Sequence, residues 1–312
     1  MPKRTILDRK KGKKIIMKIL ILSGGDSSER PVSLTSAKTV KKALQENGHR
    51  VKLYDLRNGY KRIINEAKAF DVLFPVLHGE EGEAGQLHKF LVTIGKPIVG
   101  TRNYKGLREA WNKIPFKKYC DKNGIQTPEW TIVKNKEDVA SFEFPSVLKA
   151  SNGGSSREVV ILKTAEDMQK NDFKKLIKSH FPLFVERYYM GTEVTVGILD
   201  GKILPFIEIV PPKNSWFSYE NKYAGTTQEI PFAPSLPKLQ QAEIEKIFLK
   251  IKNHFNLGTY FRIDFMVADK IPYVLDVNTI PGLTPGSLFP KQALAAGLDF
   301  NQMLEKLVTS AK

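Results

Sequence analysis

Two short patterns near the end of the chain hold the side chains best suited to chemistry: Arg262-Ile-Asp264 on one apolar run and Asp276-Val-Asn278 on the next. Strand side chains alternate between faces, so Arg262 shares a face with Asp264, and Asp276 with Asn278, if both runs are strands. Two carboxylates, an amide oxygen and a guanidinium would then converge. Hard oxygen donors on a rigid sheet suit Mg²⁺, which fills the rest of its octahedron with water and substrate phosphates. A guanidinium beside them would answer the negative charge of a phosphoryl group in transfer. The pattern points to metal-nucleotide chemistry, and its plainer alternative is a cross-strand pair of surface charges.

Other groups fall into line with the first alternative. Asn152-Gly153-Gly154-Ser155-Ser156 follows an apolar run containing Lys149. Glycine backbone and serine hydroxyls can approach phosphate oxygens closely, although the same composition also makes a hairpin turn. No G-x-x-x-x-G-K-[ST] occurs in the sequence, so a nucleotide site here is not a P-loop. Lys113 and Lys149 could each offer a point charge to phosphates. Lys149 interrupts the apolar run SVLKAS and requires an anionic partner, expected to be a ligand. Glu186 ends PLFV and Glu193 opens EVTVGIL, either as acceptors for ribose hydroxyls or as solvated edge charges. Residues 214 to 233 form a long interval with Trp216, Phe217, Tyr219 and Tyr223, read as a lid that excludes water. Pro281 to Leu288 follows the Asn278 run and opens a helix, offering oriented N–H donors to a carboxylate or oxyanion, or an ordinary capped start.

The elements that hold these groups follow from apolar periodicity. Residues 17–102 alternate strand and helix signals: KILILSGG, a helix over SLTSAKTVKKALQENG, RVKLYDL, FDVLFPVLHG and KPIVGT. Such alternation predicts a parallel sheet covered by helices, with ligand loops at the carboxyl ends of its strands. Two loops stand there, Ser23 to Arg30 and His78 to Gly82, and Pro31 pre-sets the helix that follows Glu29. Residues 103–187 read as a smaller α+β unit. Residues 188–312 hold long strands (EVTVGILD, KILPFIEIVP, TYFRIDFMV, YVLDVN) and closing helices.

At 312 residues the chain is long enough for two or three domains. No apolar run reaches the roughly 18 residues that span a membrane. The single cysteine, Cys120, excludes an internal disulfide and fits a buried structural thiol in a reducing compartment. A net charge of +16 raises the question of a nucleic-acid partner. Residues 1–16 carry seven basic side chains against Asp8, a net of +6, so much of the excess is a basic extension, expected to be disordered. The other lysines spread over helix faces without an aromatic-interleaved stripe, which argues against nucleic acid. The extension lacks the pattern of a secretory signal, and cytoplasmic residence is expected.

Taken in order, SGGDSSERPVSL, LHGEEGEAGQL, KASNGGSS, VERYYMGTEVTV, YENKYAG, FRIDFMV and VLDVNTIPGLTPGSL resemble the D-alanine-D-alanine ligase family of ATP-grasp enzymes, over nearly the whole chain from Met17. The resemblance implies a three-domain ATP-grasp fold, α/β and α+β, and formation of D-alanyl-D-alanine from D-alanine and ATP through an acyl phosphate. Glu29 would hold the ammonium of the first D-alanine, linked to Ser155 and Tyr223, with His78 on the substrate side. Lys113, Lys149, Ser155, Glu186 and Glu193 would grip ATP, with adenine against Arg187, Tyr188 and Tyr189. Asp264, Asp276 and Asn278 would bind two Mg²⁺, or Mn²⁺. Arg262 and the Gly282 N–H would stabilise the oxyanion, while Lys222, Ser287 and the Leu288 backbone hold the second carboxylate. Similar enzymes are commonly homodimers.

The chain departs from the family pattern in Asp276 for Glu, Ala84 for Asp, Ala150 for Pro, and Arg157-Glu158 for Val-Gly. A related ligase joining other amino acids, or a nucleotide-binding homologue without catalysis, therefore stays open at this point.

Overall fold

The computed structural model describes residues 15–27, 29–153, 158–212 and 226–312; the basic extension up to residue 14 lies outside them. Three sheets organise the described residues. The first is parallel, in the order β2 (Arg50–Asp55), β1 (Lys18–Ser23), β3 (Val72–Pro75). Helix α1 (Arg30–Glu46) follows β1, with Pro31 in its first turn and Ser33, Ala37, Val40 and Leu44 on its buried stripe. The expected strand at KPIVGT is reduced to one bridge from Ile98 to Leu73. Pro97 has no N–H to give and Gly100 turns out at positive φ, which leaves room for no longer ladder. The expected loop at 78–82 includes part of a helical turn, Glu80–Glu83.

The second sheet is antiparallel, β4 (Trp130–Val133), β7 (Leu183–Arg187), β5 (Ser146–Ala150), β6 (Val159–Leu162) in spatial order. The third and largest runs β11 (Gln228–Pro231), β10 (Ile207–Val210), β8 (Thr192–Leu199), β12 (Tyr260–Ala268), β13 (Ile271–Asn278), with β9 (Lys202–Ile203) pairing on β8. KILPFIEIVP, expected as one strand, is broken into β9 and β10 around Pro205, which cannot donate to a ladder. The expected lid interval 214–233 ends in strand β11, paired antiparallel with β10. An edge strand with free ladder groups captured what composition alone reads as loop.

Alternation on β8 and β12 separates core from site. Val194, Val196, Ile198, Phe261, Ile263 and Phe265 are buried in one cluster with the helices spanning 104–111, 113–122 and 238–255. Residues 104–126, grouped by sequence with the central segment, thus pack on the third sheet. A second cluster joins β1 and α1 to Leu199, Tyr260, Phe289 and the helix Phe300–Thr309. Cys120 lies wholly buried in the first of these clusters, as expected, and burial pushes its thiol up to about 12.

Candidate active site

The register of β12 on β13 sets Arg262 opposite Asn278 and Asp264 opposite Asp276. A bulge follows at once: Phe265 pairs with Val274, so Leu275 is the extra residue. It turns Val274 into the core while Asp276 and Asn278 stay on the polar face. The two-residue turn Asp269-Lys270, both at positive φ, closes the hairpin in the sense that matches strand twist. The four expected side chains therefore do converge.

Asp264 is the hub. Arg262 donates from Nε to Oδ1 at 2.9 Å and from a terminal nitrogen to Oδ2 at 3.1 Å. The Asn278 amide reaches Oδ2 at 2.9 Å and the Thr195 hydroxyl reaches Oδ1 at 2.6 Å. Burial alone would push the Arg262 guanidinium down, yet the charge and hydrogen bonds of Asp264, with Asp276 and Glu229 behind, hold it above its ordinary value. Thr195, within the apolar run EVTVGIL, gave no signal in the sequence beyond its even spacing from Glu193.

Helix α6 (Lys113–Lys122) delivers cations to the same place; α2 to α5 are the preceding helices, Tyr60–Ala67, Glu80–Glu83, Gln86–Ile94 and Tyr104–Trp111. Lys113 Nζ lies 3.4 Å from Asp276 Oδ2 and donates to the Gly153 carbonyl at 2.9 Å. The Ile114 N–H donates to the Ser151 hydroxyl at 3.0 Å, docking the start of the Gly/Ser segment on the first turn of α6. Lys149 corrects one expectation: its partner is the chain's own Glu186. Glu186 also meets Lys117, at 2.6 Å, a buried lysine that sequence reading missed among the exposed ones. Burial by itself would raise the Glu186 carboxyl, but the two ammonium groups hold it below its usual range.

Toward the end of β7, Arg187 turns outward and pairs with Glu143 at 3.0 Å. Tyr189 stacks on Tyr273 at 4.3 Å between centroids, while burial raises Tyr188 above its ordinary value. Glu193 on β8 stands opposite Met266 of β12.

A family model for the C-terminal part of D-alanine–D-alanine ligases matches residues 113–309. The chain is 38% identical to a D-alanine–D-alanine ligase of Maridesulfovibrio salexigens, over 94% of its own length and 97% of the relative's. It is 35% identical to one from Methylacidiphilum infernorum, over 93% and 94% respectively. The chain belongs to the D-alanine–D-alanine ligase family. A crystal structure of the Bacillus anthracis D-alanine–D-alanine ligase complexed with ATP superposes with a TM-score of 0.80 at 30% identity, covering 94% of this chain and 97% of that one. The mixed α/β and α+β architecture read from the sequence is the ligase architecture.

In this ligase-family chain Glu29 and His78 lie in the loops that follow the carboxyl ends of β1 and β3. Glu29 is buried at the start of α1, and its N–H donates to the Ser27 hydroxyl at 3.2 Å. Ser27 in turn donates to the His78 carbonyl at 3.0 Å, tying the two loops together. Gly79 sits between them at φ 88°, where a Cβ would come within 2.8 Å of Ser27 Cβ, so the close approach requires glycine. Glu83 Oε2 accepts from the Gly79 N–H and from Trp111 Nε1, each at 3.2 Å, and His78 Nδ1 is 3.9 Å from its other oxygen. The Thr279 hydroxyl donates to the Glu83 carbonyl at 2.8 Å, linking this loop to the end of β13.

Beyond β13, Ser287 precedes the helix Leu288–Ala295, and its hydroxyl meets that of Thr284 at 2.9 Å. A Cβ on Gly282 would lie 2.9 Å from Ser287 Oγ, so Gly282 and the helix start are neighbours. Lys291 of this helix pairs with Glu229 of β11, a contact unseen in the sequence. Ser155, Lys222 and Tyr223 lie outside the described residues.

Proposed function

We propose that this chain joins two molecules of D-alanine into D-alanyl-D-alanine, converting ATP to ADP and phosphate. The observation that carries this reading is the meeting of Arg262, Asp264, Asp276 and Asn278 with Lys113 and the Gly/Ser segment, in a chain of this family. The γ-phosphoryl group of ATP passes to the carboxylate of the first D-alanine, held by Glu29 and flanked by His78. The resulting acyl phosphate is attacked by the amine of the second D-alanine. Arg262 and the Gly282 N–H face the tetrahedral oxyanion, at a typical few kcal/mol per donor. Phosphate then leaves and the amine nitrogen gives up a proton. Lys222, Ser287 and the Leu288 N–H hold the second carboxylate at a helix start.

Lys113, Lys149 and Glu193 grip the nucleotide, with the buried Glu186 behind Lys149, Ser155 toward the phosphates and Arg187 to Tyr189 beside the base. Asp264, Asp276 and Asn278 present two carboxylates and one amide, an all-oxygen set that fits Mg²⁺ or Mn²⁺. When bound, the metal screens phosphate charge. Tyr223 fits the dipeptide-forming type of lid. We place the enzyme in the cytoplasm as a homodimer, a reading supported by the unpaired buried thiol and by family analogy. No helix among the described residues is long and apolar enough to cross a membrane.

The deciding experiment is phosphate release from ATP with a panel of D-amino acids. Release should require D-alanine and yield the dipeptide by mass spectrometry. Absence of D-alanine-dependent release across a wide pH range would overturn the proposal, and preference for another amino acid would move it to a sister activity.

A further inference from the structure

The catalytic account leaves one buried cation unused. Lys117 lies four residues after Lys113, hence on the same face of α6, and its side chain is 2% exposed. Its ammonium sits 2.6 Å from Glu186 Oε2 and donates to Thr127 Oγ1 at 2.5 Å and to the Pro128 carbonyl at 3.3 Å. The rings of Trp130 and Phe184 stand 5.9 and 5.5 Å from it; burial pulls this ammonium below its ordinary value, and the charge and hydrogen bond of Glu186 oppose that pull. Glu186 is equally shut off from solvent, and its other oxygen pairs with Lys149. Lys149 alone of the three has an accessible part, its side chain being 15% exposed.

The count of charges decides what this arrangement does. Glu186 facing only Lys149 would cancel it, because a close ion pair projects little field beyond itself. With Lys117 on the far oxygen, the three groups carry a net +1, and the one that looks outward is Lys149. We propose that Lys117 is a positioning residue that neutralises Glu186, so that the charge of Lys149 stays available to the phosphates of a nucleotide. The inference rests on the reading of Lys149 as a nucleotide contact.

The test is titration calorimetry of the full chain with ATP, ADP and adenosine. Lys117→Met should weaken ATP and ADP by roughly tenfold or more and adenosine by less than about twofold, since only the phosphates meet Lys149. Equal weakening of all three, or of none, would overturn the inference. A second pair of variants bypasses any folding defect of the single one. In a Glu186→Gln background no carboxylate remains to neutralise, so adding Lys117→Met should weaken ATP by less than about threefold. A loss of roughly tenfold there would show that Lys117 acts by another route. Failure of the unmodified protein to bind ATP would instead remove the underlying nucleotide reading, whereas binding without phosphate-selective response removes only the role of Lys117.

Discussion

Lys113 Nζ stands 3.4 Å from Asp276 Oδ2 and 2.9 Å from the Gly153 carbonyl, so one ammonium joins the carboxylate strand to the Gly/Ser segment. In this chain the carboxylate at 276 is an aspartate, one methylene shorter than the glutamate usual in the family, and Lys113 still reaches it. Lys113→Met should raise the KM for ATP by roughly tenfold or more and change that for D-alanine little, as expected for lost uniform binding of one substrate. Initial rates with each substrate varied in turn check this.

Arg262 is buried and bound along one edge of its guanidinium, through two nitrogens, to the two oxygens of Asp264, which fixes its orientation. Arg262→Ala is expected to lower turnover by roughly two to three orders of magnitude with ATP affinity largely kept. Single-turnover rates alongside nucleotide binding separate the two quantities. Unchanged turnover would reduce Arg262 to a structural partner of Asp264.

The departure at residue 150 is visible in the backbone. Ala150 donates its N–H to the Glu158 carbonyl at 3.0 Å, extending the β5/β6 ladder by a bond that proline at 150 could not make. Ala150→Pro should therefore cost about 1 kcal/mol of stability, the usual net worth of one hydrogen bond, and raise the KM for ATP by loosening the segment that follows. Urea melts and ATP kinetics on the variant measure both effects.

How far the site was legible follows from which physical signals are local. The polar face of Arg262, Asp264, Asp276 and Asn278 follows from alternation alone, and each pair stands as counted. Counting by two would also put Val274 on that face, and it was the bulge at Leu275, a tertiary accommodation, that moved it. Lys117 was hidden because adjacent lysines in KIPFKKYC read as a solvated face, yet only Lys118 is exposed. Its spacing from Lys113 and the flanking Phe116 and Cys120 were the available clue. Strand β11 could not be read from QEIP, since its pairing depends on β10 offering an edge. Nothing local to Glu83 announces that Trp111, 28 residues further along the chain, donates to it.

Acid stability offers a test independent of catalysis. His88 is buried in the helix Gln86–Ile94, and burial pushes its imidazole down from 6.5 to about 4, against a weaker opposing hydrogen bond that the ring donates to the Gly82 carbonyl. A neutral ring is thus stabilised in the folded state. Above pH 6.5 neither state takes a proton and the contribution is intact. Between 6.5 and about 4 the unfolded chain binds a proton that the folded chain refuses, so stability falls as pH falls, by up to about 1.4 kcal/mol per pH unit. Below that window both states are protonated and the slope vanishes. His88→Gln removes the titrating group while keeping a polar side chain of similar size, and its urea-unfolding free energy should lose less between pH 7 and pH 5 than that of the unmodified protein. Parallel profiles for the two proteins would show that His88 titrates in the fold as it does in the unfolded chain.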